Sequence, residues 1–252
     1  MKIQVLDHGY VELVECWGTG KFIPTFDNNP ELEIYPTEDF EIGIIEAARQ
    51  STQGSFRGWN QGDSKLLNHL YSNSHMTPFE FSGMVIEVQA PIFVFREWHR
   101  HRTQSYNEMS ARYAPLPDLY YLPTKEVLMD RADIAAETKN KQAGGDTFVE
   151  KSIRDMQIAQ WHWELEEEYS RCEALYQKGL RSGVPKELAR LIMPVGHYSR
   201  MRASANLRNW LSFMTLRCDS QAQCEIREFA DAVAQLVATK FPQTYQLWKS
   251  EQ

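Results

Sequence analysis

Residues 81–101 constrain the fold more than any other stretch. Met84, Ile86, Val88 and Ala90 alternate with Val85, Glu87 and Gln89. A period of two marks a half-buried strand, here running Phe81–Ala90. Pro91 has no N–H to give to a ladder, so the strand stops there. Proline is favoured at a first helical position, and Ile92 to about His101 is expected as a helix. Arg96 and Arg100, four apart, then share a face. The strand–proline–helix step delivers Arg100, His101 and Arg102 at a helix end that the core anchors.

The delivered segment has a definite chemistry. Residues 100–112 read Arg-His-Arg-Thr-Gln-Ser-Tyr-Asn-Glu-Met-Ser-Ala-Arg. Guanidinium forks and serine hydroxyls are the groups that hold a phosphate. The surrounding chain is acidic, with a formal net charge of -7. Yet Arg181, Lys186, Arg190, Arg200, Arg202, Arg208 and Arg217 fall in one stretch with Glu187 as its only acid. A concentrated positive field on an acidic protein steers a small anion to one place. The overall charge of -7 argues against general nucleic-acid binding.

Other classes of chemistry are poorly supported. There is neither a Gly-x-Gly-x-x-Gly nor a Gly-x-x-x-x-Gly-Lys run, so a nucleotide must be held by side chains and loops. Cys16, Cys172, Cys218 and Cys224 form no Cys-x-x-Cys pair and are expected as reduced, mostly buried thiols. His99 and His101 have a metal-like spacing, but Arg100 and Arg102 interleave them and repel a cation, so no metal is expected. Ser105 and Ser110 lack the Gly-x-Ser-x-Gly frame of a nucleophile, and Ser110 reads better as a phosphate ligand. No run approaches the ~18 apolar residues of a membrane span. Met1–His8 lacks the features of a secretory signal, so a cytoplasmic location is expected.

The remaining chain reads as alternating elements. Gly9–Cys16 is expected as a strand, 20–36 as loop, and Asp39–Gln50 as a helix capped by Thr37. Ser64–Tyr71 is a second helix. His75-Met76-Thr77-Pro78 reads as a turn in which Thr77 caps or accepts from a phosphate. Ala114–Pro123 is extended, and a polar stretch around 124–147 looks like a surface insertion or mobile loop. Phe148–Leu180 is a long helix, curved or broken, that Gly183 ends before Pro185 opens another to Met193. Tyr198–Ala205 is a strand; Asn206–Leu216 and Ser220–Lys240 are helices. The short linkers argue for one α/β domain over residues 1–252.

Taken together these residues resemble the flavin-dependent thymidylate synthases. The signature is Arg100-His101-Arg102, seven residues, then Ser110, and the match extends through Arg112-Tyr113. Thr77-Pro78-Phe79-Glu80, Ala90-Pro91-Ile92-Phe93-Val94, Ala189-Arg190, Asn206-Leu207-Arg208 and Leu216-Arg217 followed by Ala222-Gln223 match in the same order. Ala47-Ala48-Arg49 resembles an early family motif. Glu97 departs from the family, which commonly has Gln there, and Ser212 stands where Asn or His is frequent.

The resemblance implies a mostly antiparallel sheet flanked by long helices, outside the Rossmann class. It implies conversion of dUMP to dTMP, with 5,10-methylenetetrahydrofolate as carbon donor, FAD as cofactor and NADPH as reductant. It also implies a homotetramer with sites shared between subunits. FAD falls to Thr77, Arg100, His101, Arg102, Glu108, Asn206, Leu207, Arg208 and Ser212, with His75 near the flavin. The nucleotide falls to Glu97, Trp98, His99, Arg100, Glu108, Met109, Ser110, Ala111, Arg112, Arg190 and Arg217. Arg217 is implied as the catalytic charge at the pyrimidine, stabilising the N3-deprotonated or enolate form. Two rival classes stand beside this reading: a non-catalytic nucleotide- or RNA-binding module, and a flavoprotein of altered substrate such as a nucleotide hydroxymethylase.

Overall fold

The computed structural model describes residues 1–19, 38–52, 54–137 and 150–252. Five strands form one sheet: β1 (Lys2–Val5), β2 (Gly9–Trp17), β3 (Gly83–Pro91), β4 (Ser105–Glu108) and β5 (Tyr198–Asn206). Their order is β1-β2-β3-β5-β4, and every described pairing is antiparallel. The central ladder joins β3 to β5 from Gly83↔Asn206 to Pro91↔Tyr198. Helices α1 (Ile42–Arg49), α2 (Asp63–Ser72), α3 (Ile92–Trp98), α4 (Lys125–Glu137) and α5 (Lys151–Arg181) follow in chain order. After them come α6 (Lys186–Ala189), α7 (Leu207–Arg217), α8 (Cys224–Lys240) and α9 (Pro242–Lys249). The expected α/β domain with an antiparallel sheet is the architecture observed.

The strand alternation does what its period requires. Met84, Ile86, Val88 and Ala90 of β3 and Met201, Ala203 and Ala205 of β5 are buried on one face. Against them pack Trp210, Phe213 and Met214 of α7, Phe229, Val233 and Val237 of α8, and Phe95 and Trp98 of α3. The other face carries Glu87, Gln89, Arg200 and Arg202 and stays polar. There Tyr10 donates to Glu87 at 2.8 Å, and Arg202 lies 3.6 Å from Glu87. Gly83 has to be glycine, because a Cβ there would meet Ala205 O at 2.5 Å.

Two expectations shift at the boundaries. The helix after Pro91 ends at Trp98, three residues early, because His99–Gln104 turn back to start β4. Arg100 therefore lies beyond the helix and shares no helical face with Arg96. Residues 125–137 of the expected insertion form α4; Thr37, the loop at 20–36 and residues 138–147 lie outside the described residues. The long helix is unbroken over 31 residues. It ends where Gly183 adopts φ 80° and Val184 N–H reaches Gly179 O at 3.0 Å, a Schellman close. Of its residues only Tyr176 is buried, while Trp161 and Trp163 are exposed. The strand β1, the strand β4 and the final helix α9 were not legible as elements.

The Ala47-Ala48-Arg49 motif proves structural within this fold. Asp63 is fully buried, and Arg49 Nε donates to its Oδ1 at 3.1 Å. Its Oδ2 accepts from the Arg57 and Gly58 amides at 2.6 and 2.9 Å. A buried carboxylate is tolerated only when paired and hydrogen-bonded throughout. Removing one partner strands the other. Asp63→Ala should thus lose about 3–5 kcal/mol of stability, measured by urea denaturation; a loss below about 1 kcal/mol would contradict this account.

Candidate active site

The turn after α3 and the last turn of α7 meet across 116 residues of sequence separation. Arg217, the last residue of α7, is 9% exposed. Its Nε–H donates to His101 Nε2 at 2.9 Å, Nη1 to Glu97 Oε2 at 2.9 Å and Nη2 to the Glu97 carbonyl at 3.0 Å. A cation at a helix C-terminus is also favoured by the helix dipole. Guanidinium carries five N–H donors. Three are engaged here and two remain for a ligand.

His101 is held neutral. Burial, and then the Arg217 guanidinium, push its imidazolium down to about 4 against an opposing pull from Glu97. Because Arg217 can only donate, Nε2 must be the acceptor and the proton sits on Nδ1. The ring lies edge-on to Phe213 at 4.8 Å, and Phe213 stacks on Trp98 at 4.6 Å. The turn itself is pinned by the Tyr106 hydroxyl, 2.7 Å from His101 O and 3.1 Å from Trp98 O. Asn209 Nδ2 holds Thr103 O at 3.1 Å.

A second group forms at the far end of β4. Ser105 pairs with Ser204 and Glu108 with Met201. At about 3.3 Å per residue, β4 carries the chain roughly 10 Å away. There Met109 N–H bonds Arg200 O, and residues 110–114 turn, with Ser110 Oγ accepting from Arg112 N–H at 3.3 Å. Arg112 Nε pairs with Glu187 at 3.0 Å, and Lys186 donates to Tyr113 O at 2.9 Å. Arg190, one turn on, is exposed. Glu108 accepts from Ser199 Oγ at 2.7 Å.

A third group sits at the start of α7. Thr77 opens a 3-10 turn over Thr77–Phe81, and Glu80 of that turn pairs with Arg208. Asn206 caps α7, its Oδ1 accepting from Asn209 N–H at 3.0 Å. Thr77, His75, Arg100, Arg102 and Ser212 are exposed. Arg208 and Arg217 are about 13 Å apart along the helix axis. One chain therefore gathers Glu97, His101 and Arg217, and separately Ser110, Arg112 and Lys186. The four residues of β4 lie between the two groups in the chain.

Burial limits which atoms some of the expected contacts could use. The side chains of Trp98 and Leu207 are fully buried and Ala111 nearly so. They pack in the protein and offer a ligand no side chain. The Leu207 amide is also used, by Ser82 O at 2.7 Å. The expectation of mostly buried cysteines is corrected: all four are free and half-buried. Sequence reasoning missed the bonding of Glu97 and His101 to Arg217, which no local pattern announces.

One cavity, of about 510 Å³, lies elsewhere, lined by Asp7, Asp118, Tyr120, Glu166, Tyr169 and Glu173 among others. Its carboxylates repel phosphate. Among the described residues no cluster of His, Cys, Asp and Glu converges to hold a metal, and no helix is long and apolar enough to cross a membrane.

Comparison with known proteins finds relatives along nearly the whole chain. The family described as thymidylate synthase complementing protein matches residues 34–243. The chain is 32% identical over 260 residues to the flavin-dependent thymidylate synthase of Rickettsia prowazekii, covering 98% of this chain and 78% of that one. It is 32% identical over 246 residues to the flavin-dependent thymidylate synthase of Thermotoga neapolitana, covering 98% and 93%. Among solved structures it is similar to the UMP/dUMP methylase PolB from Streptomyces cacaoi bound with 5-Br dUMP. That likeness has a TM-score of 0.71 at 26% identity and covers 98% of this chain and 97% of the other.

The neutral His101 carries a pH signature. Its folded pKa near 4 lies below the unfolded value of about 6.5. Between these values the unfolded chain binds a proton that the folded protein does not. Stability therefore falls as pH drops from about 6.5 towards 4. His101→Gln, which keeps an acceptor for Arg217, should flatten part of that fall and leave the share of His197, also lowered by burial. Denaturation across pH checks this; an unchanged profile would refute it.

Proposed function

The chain belongs to the flavin-dependent thymidylate synthase family, a family of enzymes, and on that premise we propose that it methylates dUMP to dTMP. The carbon donor is 5,10-methylenetetrahydrofolate and the reductant NADPH, acting through FAD. The observation that carries this reading is Arg217: a nearly buried guanidinium, held on three sides, with two donors free beside a neutral histidine.

The residues present suit a flavin dinucleotide. Its diphosphate needs exposed cations and a hydroxyl, and Arg100, Arg102, Arg208 and Thr77 supply them. His101, Glu108, Asn206 and Ser212 complete the set, and Leu207, with its side chain buried and its amide bonded to Ser82 O, adds no donor. Bound FAD supplies the hydride chemistry. Everything else falls to the chain. Ser110, Arg112 and Arg190 take the dUMP phosphate, with backbone of Met109 and Ala111 beside it. Glu97, His99 and Arg100 lie toward the base. Arg217 faces the pyrimidine, where it stabilises the negative charge of the N3-deprotonated or enolate form that makes C5 nucleophilic toward the methylene carbon. A fixed guanidinium in a site of low dielectric stabilises that charge without reorganising.

The reading includes a homotetramer with shared sites, as the resemblance to the family implies. Met156 and Trp163 of α5, seven residues apart on one side of the helix and 65% and 59% exposed, give apolar surface for a second copy; Trp161, 50% exposed, points to another side. Cysteine catalysis is disfavoured: burial pushes the Cys218 thiol up to about 12 and Cys16 up to about 11.

The purified protein should be yellow, tetrameric, and turn over dUMP, methylenetetrahydrofolate and NADPH anaerobically. A colourless monomer that takes up no FAD would defeat the reading. Arg217→Ala should lose roughly 10²–10³-fold in turnover, while Arg112→Ala should act on dUMP affinity by about 1.5–3 kcal/mol. Steady-state kinetics separates the two effects. Cys218→Ala should keep dTMP formation; an inactive, folded, FAD-loaded variant would restore a cysteine role.

A further inference from the structure

Glu97 is the residue at this site whose chemistry the reading above leaves unused. One carboxylate oxygen, Oε2, is spent on Arg217 Nη1 at 2.9 Å. The other, Oε1, makes no hydrogen bond among the described residues. It lies 3.8 Å from Nη1 of the largely exposed Arg100. The Glu97 side chain is 31% exposed, so Oε1 is open to a ligand. Its backbone carbonyl also holds Arg217 Nη2, which ties the positions of the two side chains together. The two unused N–H groups of Arg217 are on Nη1 and Nη2, the same two nitrogens that Glu97 binds, so the open acceptor and the open donors belong to one bonded pair.

An open acceptor next to an open donor has a defined complement. The ligand must present a donor and an acceptor side by side in the reverse order. Uracil does so along its imide edge, with N3–H as donor and a flanking carbonyl as acceptor. Cytosine has the opposite pattern at N3 and C4: N3 accepts and the exocyclic amine donates. Against this pair cytosine would set a lone pair on a carboxylate and an amine on a guanidinium. Sites built from such polar groups reject the mismatched analogue because their own groups are left unpaired.

We propose that Glu97 is a specificity-determining residue: its free carboxylate oxygen and the open guanidinium donors of Arg217 form an acceptor–donor pair that reads the imide edge of uracil. This deepens the dUMP reading and rests on it. A glutamine in this place has a single oxygen, which Arg217 claims, and turns an amine to the ring. The carboxylate has an oxygen for each. Its charge strengthens the N3–H bond, and the same N3–H is the proton that must loosen as charge gathers on the ring.

The test is calorimetric titration of the FAD-loaded protein with dUMP and with dCMP, in the wild type, Glu97→Gln and Glu97→Asp. Glu97→Gln is isosteric and keeps an oxygen for Arg217. Glu97→Asp keeps the charge and withdraws it by one methylene. The wild type should prefer dUMP, and each variant should lower the ratio of the two affinities by roughly ten- to a hundredfold. If Glu97 only props Arg217, both ligands weaken together and the ratio holds, which overturns the inference. A wild type that binds dUMP and dCMP equally overturns it as well, yet leaves the proposed reaction standing. A wild type that binds no dUMP overturns both.

Discussion

The nine-residue antiparallel ladder between β3 and β5 is the constraint on which the rest of the molecule depends. It buries the alternate residues of both strands under α7 and α8 and leaves the other face polar. It also fixes the ends of its strands. Pro91 turns the chain from β3 into α3, and Asn206 turns it from β5 into α7. The residues at the far ends of those two helices, Glu97 with His101 and Arg217, meet because the ladder sets where the helices start.

Electrostatics then differentiates the site. A guanidinium this buried needs compensation, and it has a carboxylate, a carbonyl and a neutral imidazole. The triad is close to charge-neutral as a whole, though strongly polarised. The group around Arg112 and Lys186 is different: exposed, cationic and only partly paired, by Glu187. A neutral base suits the first environment and a phosphate the second.

Most of the architecture was legible where the sequence is periodic. The alternation in 84–90, the proline after it and Gly183 before Pro185 each act over a few residues, so each could be read locally. The misses share one cause. β1 and β4 are four residues each, too short for a period to declare itself, and β4 lies inside a segment whose composition reads as a ligand loop. It becomes a strand because β5 offers an open edge. The helix after Pro91 stopped at Trp98 because Tyr106, from β4, pulls the following carbonyls into a turn.

The same division holds at the site. From the chain alone came the Arg-His-Arg signature with Ser110, the positive stretch ending at Arg217, and the family. Those are properties of residue type and spacing, which order in sequence preserves. Only the tertiary structure decided that Trp98 and Leu207 are core, that Arg49 serves Asp63, and that Glu97 and Arg217, 120 residues apart, are partners. A hydrogen bond depends on a few ångströms of separation between side chains. That separation is set by the packing of helices on the sheet and leaves no mark on local sequence.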